Sequence, residues 1–316
     1  MELNIKLMRY FFQRVYRNKL EWQYKGNVNF FFYNNQSIHS KKHMHIKTTL
    51  LSEGSSSFVF LTEDPNYVMK EFKSMYPVSM RQKEAQILEV LKSEHIVKLT
   101  TFTENYLILE RLRPQDLFEV VKSQSLNHQF IKETCKTLIR IINTIHKMQV
   151  VHRDIKLENI LIDNTGRLVL CDFGFSELLT NSTVKRTMGT LNYMPPELHQ
   201  ESLIGGMNSD NINTQILIKS DVFSLGVTVF QIIFGFQPFT STKPGANCKL
   251  WKLIQQKKWT QYWTLIQKLS KLQIDPLTQN FLELFLQSDT SSRATLDEIY
   301  IHPFLNQVKD DVHLIF

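Results

Sequence analysis

The run that most constrains this chain is Val150-Val151-His152-Arg153-Asp154-Ile155-Lys156-Leu157-Glu158-Asn159-Ile160-Leu161-Ile162. Two short apolar, β-branched runs bracket a polar core. The ends therefore read as buried strands and the middle as a loop held on a rigid base. Within this loop stand the carboxylate of Asp154, the ammonium of Lys156 and the carboxamide of Asn159. A group that orients an attacking hydroxyl, a cation for a migrating phosphate and a hard oxygen ligand for Mg²⁺ are what phosphoryl transfer needs.

Size and composition leave room for that chemistry. The chain has 316 residues, 42% hydrophobic and 21% charged, enough for a substantial core and against global disorder. A net charge of +7 permits attraction to polyanions, but no arginine-rich arm or zinc-ligand spacing makes nucleic acid the main partner. Cys135, Cys171 and Cys248 are few and far apart, which fits a reducing, cytoplasmic setting without a disulfide framework. No stretch reaches about 18 uninterrupted apolar residues, so no membrane-spanning helix is expected. The start has no secretory pattern. Leu3, Leu7, Phe11 and Val15 place an amphipathic helix within Met1 to Leu20, read as docking on the domain, with a transit or membrane-surface peptide as the alternative.

Ahead of the loop, residues 1–45 form an extension of no assigned role, with Phe30 to Tyr33 as a possible strand. Ile46 to Leu51 and Phe58 to Leu61 flank Ser52-Glu53-Gly54-Ser55-Ser56-Ser57, a hairpin pattern. Tyr67 to Phe72, His95 to Leu99 and Tyr106 to Glu110 read as strands, and Met80 to Leu91 as a helix. Ile131, Cys135, Leu138, Ile142 and Ile145 keep the three/four spacing of an amphipathic helix leading into the loop. Leu168 to Cys171 is a further strand, followed at once by Asp172-Phe173-Gly174. A helix opened by Ser220-Asp221 is apolar all round, hence a buried axis, and reads as too short and polar to span a bilayer. Residues 199–218 read as a surface insertion, Trp251 to Leu286 as helical, and 306–316 as a tail.

His152-Arg153-Asp154-x-Lys156-x-x-Asn159, followed by Asp172-Phe173-Gly174 and by Thr190 to Glu197, resembles the eukaryotic protein kinases, serine/threonine type. The resemblance covers about 46–305. It implies an α+β, bilobal protein-kinase-like fold: a small five-stranded antiparallel N-lobe with one main helix (46–112) and a larger, mostly helical C-lobe (113–305). It implies transfer of the ATP γ-phosphate to serine or threonine of a protein substrate by a monomeric enzyme, with Mg²⁺. Asp154 is then the base or orienting group, Lys156 neutralises γ-phosphate charge, and Asn159 and Asp172 bind Mg²⁺. Lys70, held by Glu84 (Glu89 is the second choice), grips the α- and β-phosphates. Leu51, Gly54 and Val59 cover the nucleotide, Glu110 and Leu112 form the hinge that meets adenine, with Leu109 behind the pocket, and Asp116 lies near the ribose or heads a helix.

The resemblance also implies structural roles. Leu88, Leu99, His152 and Phe173 form an apolar stack joining the lobes, so His152 is a packed histidine. Glu197 and Arg293 form a buried ion pair, and Thr190 orders the substrate site. Arg153 implies control by a phosphorylated activation segment, with Thr187 foremost and Thr183 and Ser182 behind; the family's usual position falls on Arg186. Glu158 and Asp116 suggest a basic peptide, although Gln231 replaces a third acid. Cys171 would line the nucleotide pocket as a small buried group open to alkylation. Gly189 to Tyr193 carries a weak likeness to calcium/calmodulin-dependent or Aurora kinases. Ser52 and Ser57 stand where the family has glycines, and this departure keeps a pseudokinase, acting as a binding module, as the alternative.

Overall fold

The computed structural model describes residues 46–112, 115–123, 126–179, 188–199, 214–243 and 245–305. The amphipathic helix, the strand at Phe30, the tail, most of the 199–218 segment and Ser182, Thr183 and Thr187 lie outside the described residues.

Strands β1 (Lys47–Glu53), β2 (Ser57–Thr62), β3 (Tyr67–Phe72), β4 (Leu99–Phe102) and β5 (Tyr106–Glu110) form one antiparallel sheet, in the order β1-β2-β3-β5-β4. Helix α1 (Val78–Val90) buries Ala85, Ile87 and Leu88, the apolar face its spacing marks out. The β3–α1 connection is held by Arg81, a buried guanidinium that donates to the carbonyls of Lys73 (3.0 Å), Ser74 (3.1 Å), Tyr76 (2.8 Å) and Glu104 (3.2 Å).

His95 to Val97 is not strand, contrary to the sequence expectation; the strand begins at Leu99. The earlier residues serve the joint between the lobes instead. Ile96 bridges Leu170, the Val97 amide donates to the Leu170 carbonyl (3.0 Å), and the Leu170 amide donates to the His95 carbonyl (2.9 Å). Their apolar side chains are buried by the other lobe, which is why the stretch looks like strand in sequence.

The rest is mostly helical: β6 (Gln115–Asp116), α2 (Leu117–Ser123), α3 (His128–Lys147), β7 (Val150–Val151), β8 (Ile160–Ile162), β9 (Leu168–Leu170), β10 (Glu177–Leu178), α4 (Thr214–Phe234), α5 (Lys249–Gln255), α6 (Trp259–Ser270), α7 (Pro276–Phe285) and α8 (Leu296–Tyr300). The five apolar residues predicted to face inward on α3 are all buried, and Asn127 caps its first turn. Helix α4 starts at Thr214, so Thr214 to Ile218 is not insertion; the fully buried Leu217 already belongs to the core axis. By length and composition Gln215–Phe234 is long and apolar enough to cross a membrane, contrary to expectation, but 78% of that window is buried inside the protein. Gly226 permits this packing, since a Cβ there would stand 2.3 Å from Cβ of Phe285 on α7.

Candidate active site

The loop between β7 and β8 is anchored from below. Asp221, on α4 and fully buried, accepts the backbone N–H groups of His152 (Oδ2, 2.8 Å) and Arg153 (Oδ1, 2.8 Å), and meets Nε2 of His146 at 2.9 Å. Burial pushes its carboxyl up, but His146 and the other donors outweigh burial and hold it below the ordinary range. Arg153 sits at φ 69°, a left-handed conformation that a bulky residue adopts only when held there. In the sequence Asp221 is legible only as a helix opener. A single acid inside an apolar helix was the available signal, because a buried charge must be paired.

Above that anchor the catalytic-type residues converge. Lys156 Nζ donates to Asp154 Oδ2 (2.7 Å) and to Thr190 Oγ1 (2.8 Å). Asp154 Oδ1 in turn accepts the Thr190 amide (2.8 Å) and hydroxyl (2.7 Å). The Asn159 side-chain amide donates to the Asp154 carbonyl (2.8 Å) and to Oδ2 (3.1 Å). Both amide hydrogens are thus used, leaving the Asn159 carbonyl oxygen as its acceptor for a ligand. Gly189, at φ 108°, lies against the loop; a Cβ there would fall 2.3 Å from the Arg153 carbonyl oxygen.

The opposite wall comes from the sheet and α1. Lys70 Nζ on β3 donates to Glu84 Oε1 on α1 (2.6 Å) and to Asp172 Oδ1 after β9 (2.8 Å). This selects Glu84; Glu89 faces solvent. Burial pulls the Lys70 ammonium down, but Asp172 and Glu84 overcome it and the net shift is upward, so it stays charged. Asp172 is held at about 2: burial raises it and Lys70 more than compensates. For Glu84 burial wins and the shift is upward. Asp172 is exposed, and its other oxygen remains for a ligand.

The remaining predicted residues lie on the five-stranded sheet and on the segments that follow it. Gly54 lies at the tip of the β1–β2 hairpin, where a Cβ would meet only ordinary contact, 3.6 Å from the Ser57 carbonyl oxygen. Val59 is half-buried on β2 and Leu51 is exposed on β1. Leu109 is buried on β5, Glu110 ends that strand, and Leu112 packs partly against the core just beyond it. Asp116 accepts the Glu119 amide (2.8 Å), which makes it a helix-heading acid. His152 packs edge-on to Phe173 with centroids 4.8 Å apart. Burial lowers its pKa, and Nδ1 accepts the Asp154 amide (3.3 Å), as for a neutral packed ring. Leu88 shares this core and Leu99 packs partly against it.

Glu197 and Arg293 form a forked pair, 2.7 and 3.2 Å, with Arg293 almost wholly buried. Glu158 is partly buried, pushed up by burial, and accepts the Tyr193 hydroxyl at 3.4 Å. Gln231 is buried. Burial pushes the Cys171 thiol up to about 12, so almost no thiolate is present near neutrality and it packs as a small apolar group rather than as a reactive one.

A lysine clamped by one acid from a helix and another from the facing lobe, with an Asp–Lys–Asn loop in the larger lobe, is the arrangement of a two-lobed, protein-kinase-like fold. Residues 47–305 match the protein kinase domain, and the chain belongs to that family. It is 26% identical over 82% of its length to serine/threonine-protein kinase TIO of Arabidopsis thaliana, covering 18% of that protein. It is 27% identical over 84% to MAP kinase kinase MKK1/SSP32 of Saccharomyces cerevisiae (51% of that protein), and 28% over 70% to serine/threonine-protein kinase PAK 4 of Homo sapiens (35%). The chain thus spans about half the length of these relatives or less.

Proposed function

We propose that the chain is a catalytically competent serine/threonine protein kinase using ATP and Mg²⁺. The observation that carries this is the Lys70 ammonium, bound at once to Glu84 and Asp172 across the two lobes. That link requires α1 and the Asp172 segment to be in place together, as phosphoryl transfer demands.

The donor set suits Mg²⁺. Among the described residues no group of three or more His, Cys, Asp or Glu could form an all-protein metal site. Mg²⁺ instead takes one or two protein oxygens and completes its shell with phosphates and water, and Asn159 and Asp172 supply such oxygens. Bound there, it would neutralise phosphate charge. Lys70 orients the α- and β-phosphates. Asp154 aligns the substrate hydroxyl and accepts its proton, and Lys156 offsets charge on the transferred group. Thr190, tied to both, registers the acceptor peptide against this pair. Such an enzyme would act in the cytoplasm as a monomer on a protein substrate, with the Glu158 and Asp116 carboxylates favouring a basic peptide. The finer calcium/calmodulin-dependent or Aurora likeness rests on Gly189 to Tyr193 alone.

The substituted hairpin serines favour the second reading, a nucleotide-binding module without turnover. Labelled phosphate transfer from ATP to a generic basic protein, with Asp154→Asn as control, separates the two. Activity predicts label on serine and threonine from wild type alone. Nucleotide binding without incorporation supports the module.

A further inference from the structure

The β3–α1 connection holds a hydroxyl that the site just described does not use. Tyr76 Oη donates to the carbonyl oxygen of Gly174 at 2.8 Å, a contact that crosses from one lobe to the other. Its ring stacks on Phe72 (5.8 Å, 17°) and its own carbonyl is gripped by Arg81 at 2.8 Å. The hydroxyl is therefore delivered from a connection that is itself fastened at several points. Its target is confined as well. A Cβ on Gly174 would lie 3.3 Å from Asp172 Oδ1, 3.4 Å from Tyr76 Oη and 3.5 Å from Glu84 Oε2. Glu84 Oε2 is buried and, among the described residues, has no hydrogen-bond partner, so the Tyr76 hydroxyl bonds the Gly174 carbonyl and not that carboxylate.

We propose that Tyr76 is a positioning residue: its hydroxyl latches the Gly174 carbonyl to the β3–α1 connection and so keeps Asp172 turned toward Lys70. Asp172 itself sits at φ 60°, a left-handed conformation that relaxes unless its neighbours hold it. Lys70 restrains the side chain of Asp172 and Tyr76 restrains the backbone two residues later. Burial and the Glu84 charge push the phenol up to about 12, so it remains a donor throughout the range in which an enzyme works. Nothing in this role requires Tyr76 to touch substrate.

Tyr76→Phe is the test, because it keeps the ring on Phe72 and deletes only the oxygen. Amide hydrogen exchange of the segment 172–176 is measured first, without nucleotide. Loss of one hydrogen bond predicts exchange about five- to tenfold faster there, with α3 and α4 unchanged. Steady-state kinetics follow, and the ATP KM should rise severalfold at saturating Mg²⁺ with the melting temperature held within about 2 °C. The kinetic arm rests on the kinase reading above and the exchange arm does not, so the two failures are distinguishable. Unchanged exchange at 172–176 overturns the proposal, as does acceleration spread evenly over both lobes with a lowered melting temperature, which marks a merely structural tyrosine.

Discussion

Asp221→Asn isolates the anchor beneath the catalytic loop. The substitution conserves shape but replaces one accepting oxygen by an NH₂ group. If the new carbonyl takes the Oδ2 position, it keeps the His152 N–H and His146, and the NH₂ then faces the Arg153 N–H, donor against donor. The opposite rotamer leaves His152 facing a donor instead. An unsatisfied buried donor costs about 1–3 kcal/mol. Arg153 is then no longer pulled into its left-handed state, and relaxation of that backbone offsets part of this cost rather than adding to it. The predicted loss is therefore about 1–3 kcal/mol, a sizeable share of the roughly 5–15 kcal/mol that holds a domain together. Urea unfolding should show a lower midpoint with unchanged slope, and kcat should fall by about a hundredfold through misplacement of Asp154. Nucleotide affinity should hold, since Lys70 and Asp172 do not touch Asp221. Glu89→Gln, on the solvent face of α1, is the control. If Asp221→Asn changes stability by less than about 0.5 kcal/mol and leaves kcat intact, the anchor argument is wrong.

Three further outcomes follow from the geometry. Lys83 Nζ on α1 meets Glu177 Oε2 on β10 at 2.7 Å, with both side chains mostly buried, so a double-mutant cycle on Lys83→Met and Glu177→Gln should return a coupling of about 1–2 kcal/mol; below 0.3 the pair does not fasten α1 to the activation segment. Gly226→Ala should lose about 1–3 kcal/mol in thermal unfolding through its clash with Phe285, whereas Gly54→Ala should leave stability unchanged and raise only the ATP KM; the reverse ranking would show that the hairpin glycine serves packing. Asp172 is depressed to about 2 from its ordinary 3.8, so its stabilising contribution is full above about pH 4 and fades as pH falls toward 2. The stability gap between wild type and Asp172→Asn, from urea melts, should therefore narrow on acidification; a widening gap contradicts the sign.

The sequence carried this fold and site unevenly. Periodicity was enough for α3, whose apolar residues repeat on one face, and for β3 and β5, short apolar runs bounded by polar turns. Lys70, Asp154, Asn159 and Asp172 stood out through motif spacing, and the fold brings Lys70 to Asp172 and Asn159 to Asp154. The same logic misread His95 to Val97, since apolar residues buried at a joint between lobes have the pattern of a strand. It also placed the start of α4 too late, because Thr214 to Ile218 begins with polar residues before Leu217 enters the core. Tyr76, Lys83 and Glu177 could not be singled out at all. Their partners lie 98, 94 and 94 positions away, and no local pattern encodes such a pairing. The strained backbone at Arg153 and Asp172 was equally hidden, since neither is a glycine.

The convergence of Lys70, Asn159 and Asp172 on one metal-nucleotide is tested most directly by ATP affinity measured with and without Mg²⁺. Wild type should gain affinity when the metal is added. Asp172→Asn should lose most of that gain while keeping its metal-free affinity, and Lys70→Met should be weakened in both conditions. A Mg²⁺ response in Asp172→Asn equal to that of wild type would contradict the account.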